Sequence, residues 1–264
     1  MSQRPKPREY VNQLKIGGIK IVATDATRAR GRASLSQTEL DAEFDSAYAR
    51  GWQVLMHCTG DACADLMIAA VQKAQAKHGR LELRPIMLHA QLVREDQLDV
   101  MKSLGIIPNF CAQSYYWSAG PMEERLGRER AWHRSPLVAA QRRAMVAANH
   151  TDAPAVPPDP LFLLHTAVNR TSRHNTIIGV GQRSSPREAL KAITLHGAYL
   201  YFEEKEKGSI EPGKRADMVV LSANPLTVQS REIKNIRVLK TIKDGQVIYD
   251  AGAPILTAGA VTRD

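Results

Sequence analysis

Cysteine is scarce in this sequence, and its scarcity excludes one class of protein. Only three cysteines occur among the 264 residues, namely Cys58, Cys63 and Cys111. Three cysteines cannot all pair in disulfide bonds. We therefore do not expect a secreted protein that is stabilised by disulfides. We interpret all three as small hydrophobic residues of a packed core. The expected location is a reducing compartment, the cytoplasm.

Long apolar runs are absent as well. No stretch of the sequence approaches the ~18 apolar residues that a membrane span requires. The basic start MSQRPKPREY is not followed by the apolar run of about 7–15 residues that defines a secretory signal. The sequence therefore predicts neither a membrane partner nor a secretory route.

Aromatic residues are few, and this affects whether the positive net charge indicates a nucleic-acid partner. The formal net charge is +9, yet the chain has only seven Tyr and four Phe, and its Lys and Arg are scattered. A nucleic-acid-binding surface usually clusters its basic residues and offers rings on which bases can stack. A nucleic-acid partner is therefore not predicted, and salt-dependent binding to DNA would test this alternative.

Short apolar runs alternate with amphipathic helical segments from residue 16 onward. This alternation is typical of βα units built around a parallel sheet. Five strands are predicted, at residues 18–23, 52–57, 84–89, 106–111 and 145–150, and a polar region rich in Glu and Arg follows the fourth. The predicted fold class is α/β, with enough hydrophobic sequence for a substantial core.

Two helices have well-marked beginnings. The sequence SQTE at residues 36–39 has the spacing of a capping box, and Gly51 stands where the helix would end. The sequence SPRE at residues 185–188 is a second capping box, with proline at the first helical position. It predicts a helix that continues through Leu195.

The character of the sequence changes after residue 202. A Pro-Gly turn at residues 212–213 precedes a strand of buried type at residues 216–221. Residues 238–242 and 247–249 flank Asp244-Gly245, which is a strong hairpin pattern. We therefore divide the chain into a partial barrel, residues 1–202, and a small β-rich segment of sandwich type, residues 203–264.

Polar residues with ligand chemistry fall at strand positions. Lys20 lies within the first predicted strand, and His57, His89 and Asp152 come at the carboxyl ends of the second, third and fifth. In a parallel α/β barrel these ends face one mouth, so distant residues can converge there. Imidazoles and carboxylates are good ligands for zinc and related divalent ions. A single histidine at a strand end would most often have a structural role. The prediction of a metal site therefore rests on ligand-type residues occurring at several strands.

Four stretches resemble a known family. They are MHCTGD at residues 56–61, LHAQ at 88–91, HTDAP at 150–154 and EEKEKGSIEPGKRADMVVL at 203–221. Together they are similar to motifs of the metal-dependent amidohydrolase superfamily, in the amidohydrolase family 3 branch, which includes N-substituted formamide deformylases. The resemblance covers about residues 15–250. It implies the C-terminal part of a (β/α)8 barrel of TIM type, about five βα units, followed by a small β-rich segment.

The resemblance also implies roles for individual residues. His57 and His89 would be metal ligands, and Asp152 would bind metal and handle the proton of the attacking water. Lys20 matches a lysine that is carbamylated in many members and bridges two metals, with an ordinary lysine as the alternative. The ATDA sequence at residues 23–26 departs from the family's Asp-Gly-Ser, and the loop before Ser36 is expected to be short.

One family motif is missing altogether. The first barrel strand of the family ends in a His-x-His pair that supplies two ligands, and no His-x-His occurs in this chain. The expected function is hydrolysis of a non-peptide C–N bond in a small-molecule amide, and the expected cofactor is a divalent metal, zinc, as one or two ions. The alternative is a catalytically incomplete fragment or subunit, needing an N-terminal half with these histidines or associating as a homo-oligomer. For the chain by itself we expect poor metal binding and little activity.

Overall fold

A small antiparallel hairpin begins the part of the chain that the structure covers. The structure is a computed structural model, and it describes residues 7–12, 14–23 and 35–252. The hairpin pairs β1 (Tyr10–Val11) with β2 (Leu14–Lys15). Lys15 Nζ lies 2.9 Å from Glu203 Oε1, so the hairpin is fastened to a residue far along the chain. The predicted departure at residues 24–26 and the short loop before Ser36 fall largely on residues 24–34, outside the described residues.

A five-stranded parallel sheet forms the centre of the fold, and its spatial order follows the order of the chain. The strands are β3 (Ile19–Val22), β4 (Val54–Cys58), β5 (Ile86–His89), β6 (Ile107–Phe110) and β7 (Ala148–Asn149). Every predicted strand is therefore present, although each is shorter than predicted. The fifth is shortened most, because Met145 N donates to Ala140 O and still belongs to the turn that ends the preceding helix. The predicted α/β class is confirmed.

The strand register aligns the carboxyl ends of the sheet. Val22 pairs with His57, and Cys58 pairs with His89. His89 pairs in turn with Phe110, which pairs with Asn149. Successive strands therefore end at one edge, where the loops that follow them meet.

Helices connect and cover the strands. Those described are α1 (Gln37–Ala49), α2 (Asp61–His78), α3 (Glu95–Leu104), α4 (Gln113–Leu126), α5 (Arg128–His133), α6 (Leu137–Arg142), α7 (Pro160–Asn169), α8 (Pro186–Ile193) and α9 (Leu195–Leu200). The region rich in Glu and Arg after the fourth strand forms α4, α5 and α6. Among the helices of the described ranges, none combines the length and apolar character needed to cross a membrane.

The capping box of α1 is confirmed in both directions. Ser36 Oγ accepts from Glu39 N at 3.3 Å, and Glu39 Oε2 accepts from Ser36 N at 2.7 Å. Two backbone groups that would otherwise lack partners at the helix start are thereby satisfied. The local sequence pattern alone is sufficient to locate this end.

The second capping box forms only in part. Ser185 Oγ accepts from Glu188 N at 3.3 Å, while the Glu188 carboxylate pairs with Lys191 Nζ at 2.8 Å. The predicted helix through Leu195 is also wrong in its extent. Thr194 leaves the helical conformation, with φ −121° and ψ −88°, so α8 ends at Ile193 and a separate helix, α9, follows.

The two faces of the parallel sheet are covered unequally. One face packs on helices α1 to α3, α7 and α8 and forms the principal core. The other face holds a much smaller cluster, Ile86, Ile107, Ala148 and Leu200. In the described part of the chain, β3 and β7 each have a strand neighbour on one side only. The sheet is thus an open one with a partly covered face.

The C-terminal strands form a separate antiparallel sheet, as predicted. It consists of β8 (Met218–Leu221), β9 (Val238–Lys243) and β10 (Gln246–Asp250), with β9 in the middle and the Asp244-Gly245 turn between β9 and β10. The prediction of a buried strand at residues 216–221 is wrong in its burial. Val219 and Val220 of β8 are 54% and 42% exposed, because no second layer covers that sheet within the described residues.

The glycine-rich segment before β8 is held against the barrel-like part. Gly208 has φ +89°, and a Cβ there would lie 2.8 Å from Leu195 Cα, so a side chain would collide with the start of α9. Arg84, just before β5, contacts Glu204 through Nη2 and Oε1 at 3.0 Å. Ile233, fully buried, belongs to the principal core. The division at residues 202 and 203 stays a prediction, since this later residue packs with the first part.

Candidate metal centre

Two histidines meet at the carboxyl edge of the parallel sheet. The ring centroids of His57 and His89 lie 4.4 Å apart, with an angle of 65° between the ring planes. His57 lies near the end of β4, and His89 is the last residue of β5. The convergence that the strand positions predict is therefore present for these two residues.

The backbone at His89 departs from strand geometry in a way that makes this meeting possible. His57 pairs with Leu88, so regular alternation along β5 would direct His89 to the opposite face of the sheet. His89 and Ala90 instead have φ of 70° and 44°, in the left-handed region. Asp152 has φ 63°. Such conformations cost about 1–3 kcal/mol each in non-glycine residues and are concentrated at functional sites.

Lys20 and Asp152 act on the same cluster through their charges. Partial burial lowers the pKa of Lys20, and the Asp152 carboxylate opposes this shift. The Lys20 charge in turn contributes to lowering the pKa of His89. The four residues singled out in the sequence thus belong to one electrostatic neighbourhood.

His150 lies in this neighbourhood too. The charge of Asp152 acts on it and opposes the lowering of its pKa by burial. The His150 ring centroid is 4.9 Å from that of His89. Its backbone N donates to Phe110 O at 2.8 Å, which fixes the chain just beyond β7 against β6.

Cys111 is the residue that sequence reasoning missed as a ligand candidate. One ligand atom from each of His89, Cys111 and His150 lies within 4.8 Å of the other two. Of the His, Cys, Asp and Glu side chains described, no other three form so tight a group, including the predicted set of His57, His89 and Asp152. Cys111 ends the fourth predicted strand, so the same positional argument that selected His57 and His89 could have selected it.

Burial determines the protonation of these side chains. It is the main cause that lowers the pKa of His89 to about 3 and of His150 to about 4. Both imidazoles are therefore neutral at neutral pH, the form that offers a nitrogen lone pair to a metal. Burial and the Asp152 charge raise the pKa of the Cys111 thiol to about 12. His150 Nδ1 is buried with no hydrogen-bond partner among the described residues, so the donor set suits a metal ion.

Curated relatives match this chain over parts of its length. The putative amidohydrolase YtcJ of Bacillus subtilis (strain 168) is 28% identical over 209 residues, which are 76% of this chain and 38% of that protein. The N-substituted formamide deformylase of Arthrobacter pascens is 31% identical over 108 residues, 41% of this chain and 19% of that protein. The chain thus spans well under half the length of these relatives.

A solved structure shares the fold. An uncharacterized metal-dependent hydrolase from Pyrococcus horikoshii OT3 aligns with a TM-score of 0.73 at 23% identity, covering 85% of this chain and 48% of that chain. The model of the amidohydrolase family matches residues 7–249 of the sequence. This match includes the strands, the histidine cluster and the C-terminal sheet, and it covers nearly the whole chain. The chain belongs to the amidohydrolase family.

Proposed function

We propose that this chain provides the metal-binding and proton-transfer groups for hydrolysis of a non-peptide C–N bond in a small-molecule amide or formamide. The observation that carries the proposal is the meeting of the His57 and His89 rings, 4.4 Å apart, at the carboxyl edge of a parallel sheet. Metal ligands of barrel hydrolases lie at this edge. Membership of the amidohydrolase family supports a metal-dependent hydrolase.

The proposed ligands are His57, His89, Asp152 and Lys20, and the proposed cofactor is zinc, as one or two ions. A divalent ion held by these groups would supply the Lewis acidity that activates water and polarises an amide carbonyl. Lys20 would take part after carbamylation. The lowered pKa of its amine favours the neutral form, which is the form that reacts with carbon dioxide.

Asp152 is the proposed general base. It lies where the chain leaves β7, and its charge acts on Lys20, Cys111 and His150, so it belongs to the same cluster. A carboxylate in this position would accept a proton from the attacking water and return it to the leaving nitrogen. The products would be an amine and a carboxylic acid, with formate as the acid from a formamide.

A panel assay tests the proposal. The chain, alone and joined to a segment bearing His-x-His, would be assayed with zinc against formamides, N-acyl amines and a dipeptide. We expect turnover of the first two classes, loss of turnover with a chelator, and a fall of about 10²–10⁴-fold in kcat for Asp152→Asn. Asp159→Asn, which alters the cap of α7 at Asp159, is the matched control. Turnover that survives both chelation and Asp152→Asn would contradict the proposal, and cleavage of the dipeptide alone would contradict its substrate class.

A second candidate is a catalytically incomplete subunit that needs a partner to supply the remaining ligands. The open sheet favours it, because β3 and β7 each have one strand neighbour in the described ranges and Val22 is 52% exposed. The assay separates the two candidates. Activity of the chain by itself supports the first, and activity only after joining supports the second.

A further inference from the structure

The cluster at the sheet edge contains a ligand set that differs from the one proposed above. His89 stands between two histidines, with His57 at 4.4 Å and His150 at 4.9 Å between ring centroids. The Cys111 thiol lies close to His89 and His150. One ligand atom from each of these three residues lies within 4.8 Å of the other two. In a tetrahedral zinc site, ligand atoms lie roughly 3.4–3.6 Å apart, as follows from Zn–N and Zn–S bonds of about 2.0–2.3 Å. Binding would therefore require side-chain rotations that bring the three groups closer together.

Backbone hydrogen bonds hold the chain around Cys111 and His150 in place. Cys111 O accepts from Ser114 N at 3.1 Å, and the next residue, Ala112, donates its N to Asn149 Oδ1 at 2.9 Å. Since His150 N also donates to Phe110 O at 2.8 Å, hydrogen bonds on both sides of the thiol tie the end of β6 to the end of β7. A site whose supports are fixed before the ion arrives needs less reorganisation on binding.

The donor atoms themselves are available. His150 Nδ1 is buried and has no hydrogen-bond partner within the described ranges. Within the described residues, the Cys111 thiol makes one weak hydrogen bond, in which Sγ donates to Thr151 O at 3.7 Å. Buried polar atoms without partners cost free energy, and coordination of a cation would remove that cost for the imidazole.

We propose that this chain by itself binds one zinc ion through His89, Cys111 and His150, with a fourth position left for water or substrate. This set differs from the one in the proposed function, shares His89 with it, and does not require His-x-His. Binding forms a sulfur–metal bond and releases the thiol proton to solvent. The proposal departs from the sequence-based expectation of poor metal binding, which considered no thiolate ligand.

A thiolate ligand also predicts which metals are selected. Two imidazoles and one thiolate suit zinc and cobalt, whereas manganese and magnesium prefer oxygen ligands. The set of His57, His89, Asp152 and a carbamylated Lys20 offers oxygen atoms as well and would accept manganese. Metal preference therefore distinguishes the two sets without an activity assay.

The test is metal binding by the full chain, read by chelator competition for zinc and by the absorption of cobalt(II). We expect about one zinc per chain, a thiolate-to-cobalt charge-transfer band, and little binding of manganese. Cys111→Ala should abolish the charge-transfer band and weaken zinc binding by at least about 10-fold. His150→Asn should weaken zinc binding by a similar factor. Cys63→Ala is the matched control, because Cys63 is also a buried free cysteine but lies in α2.

The outcomes separate this inference from the proposed function. Loss of zinc on His57→Asn with no effect of Cys111→Ala would overturn the inference and leave the proposed function standing. The reverse result, together with a hydrolase assay that fails, would leave the inference standing alone. If Cys111→Ala does not fold, the double variant Cys58→Ala/Cys63→Ala retains Cys111 as its only thiol, and absence of the charge-transfer band in that variant overturns the inference.

Discussion

At the scale of single residues, His89 is the side chain on which the candidate centre depends. It is 4% exposed, it lies between the His57 and His150 rings, and its backbone is held at φ 70°. The sequence places His89 at the end of a strand, but its left-handed conformation depends on the packing of neighbouring strands. The residue type of Cys111 does not indicate a ligand role either, because a free cysteine is far more often a small buried hydrophobic residue than a metal ligand.

The buried imidazoles predict a loss of stability in acid for the metal-free protein. The folded-state pKa values of His89 and His150, about 3 and about 4, lie below the ordinary value of 6.5. As the pH falls below 6.5 the unfolded chain takes up protons first, so stability that is present above pH 6.5 is lost toward the folded-state values. We expect the free energy of unfolding to fall by about 2 kcal/mol for each of the two imidazoles, and so by about 4 kcal/mol in all, between pH 7 and pH 5.

Urea unfolding with a chelator present, at both pH values, measures this loss. His89→Asn should reduce the difference between the two pH values, whereas the exposed His174 offers a control in His174→Asn. An unchanged pH dependence in His89→Asn would show that the acid sensitivity arises elsewhere.

At the scale of elements, local patterns located the helix starts and strands, and long-range contacts set their extents. Ser36 marks α1 because its cap involves residues three positions apart. The short β7 could not be predicted, since the turn joining Met145 to Ala140 competes with the strand for the same apolar residues. The exposure of β8 also required the structure, because sequence does not tell which sheet faces are covered.

Removal of the α1 cap should be measurable. Ser36→Ala deletes the hydroxyl that accepts from Glu39 N, and we expect a loss of about 0.5–2 kcal/mol in the free energy of unfolding. Ser103→Ala removes a hydroxyl that donates to Val100 O within α3, where we expect a change under about 0.5 kcal/mol. Urea midpoints of the two variants test the difference, and equal midpoints would mean that the cap is not formed.

A buried guanidinium joins the segments around α5, α6 and α7. Arg170, 1% exposed, donates to the carbonyl oxygens of Ile178, Ser135, Trp132 and Arg134 at 2.6 to 3.3 Å. Arg170→Met would leave these buried acceptors without a donor, and we expect a loss of at least about 3 kcal/mol. Arg187→Met, on the exposed side of α8, is the control and should have little effect. Thermal unfolding of both variants provides the measurement, and similar midpoints would contradict the structural role.

At the scale of the whole molecule, the open sheet links stability to function. The face opposite the principal core is covered in part by α9, and the outer edges of β3 and β7 have no strand neighbour within the residues described. Open edges and exposed apolar faces favour association. The family resemblance indicated the fold class and the histidine positions, but the sequence could not show how far the described elements would close the sheet.

The open sheet leads to a prediction about joining the chain to a segment that bears His-x-His and further strands. Such a segment would pair with the edges of β3 and β7 that lack a strand neighbour within the described residues, cover the face that includes the 52%-exposed Val22, and add two imidazoles to the cluster. We expect the chain alone to self-associate and to bind a hydrophobic dye, and the joined protein to be less associated, to bind less dye and to turn over amides faster. Light scattering, dye fluorescence and the amide assay measure the three effects. A joined segment whose His-x-His is replaced by Ala-x-Ala is the control, because it should close the sheet and reduce association without raising turnover. If that control gains turnover equally, the added histidines are not metal ligands, and the benefit of joining lies in the closed sheet alone.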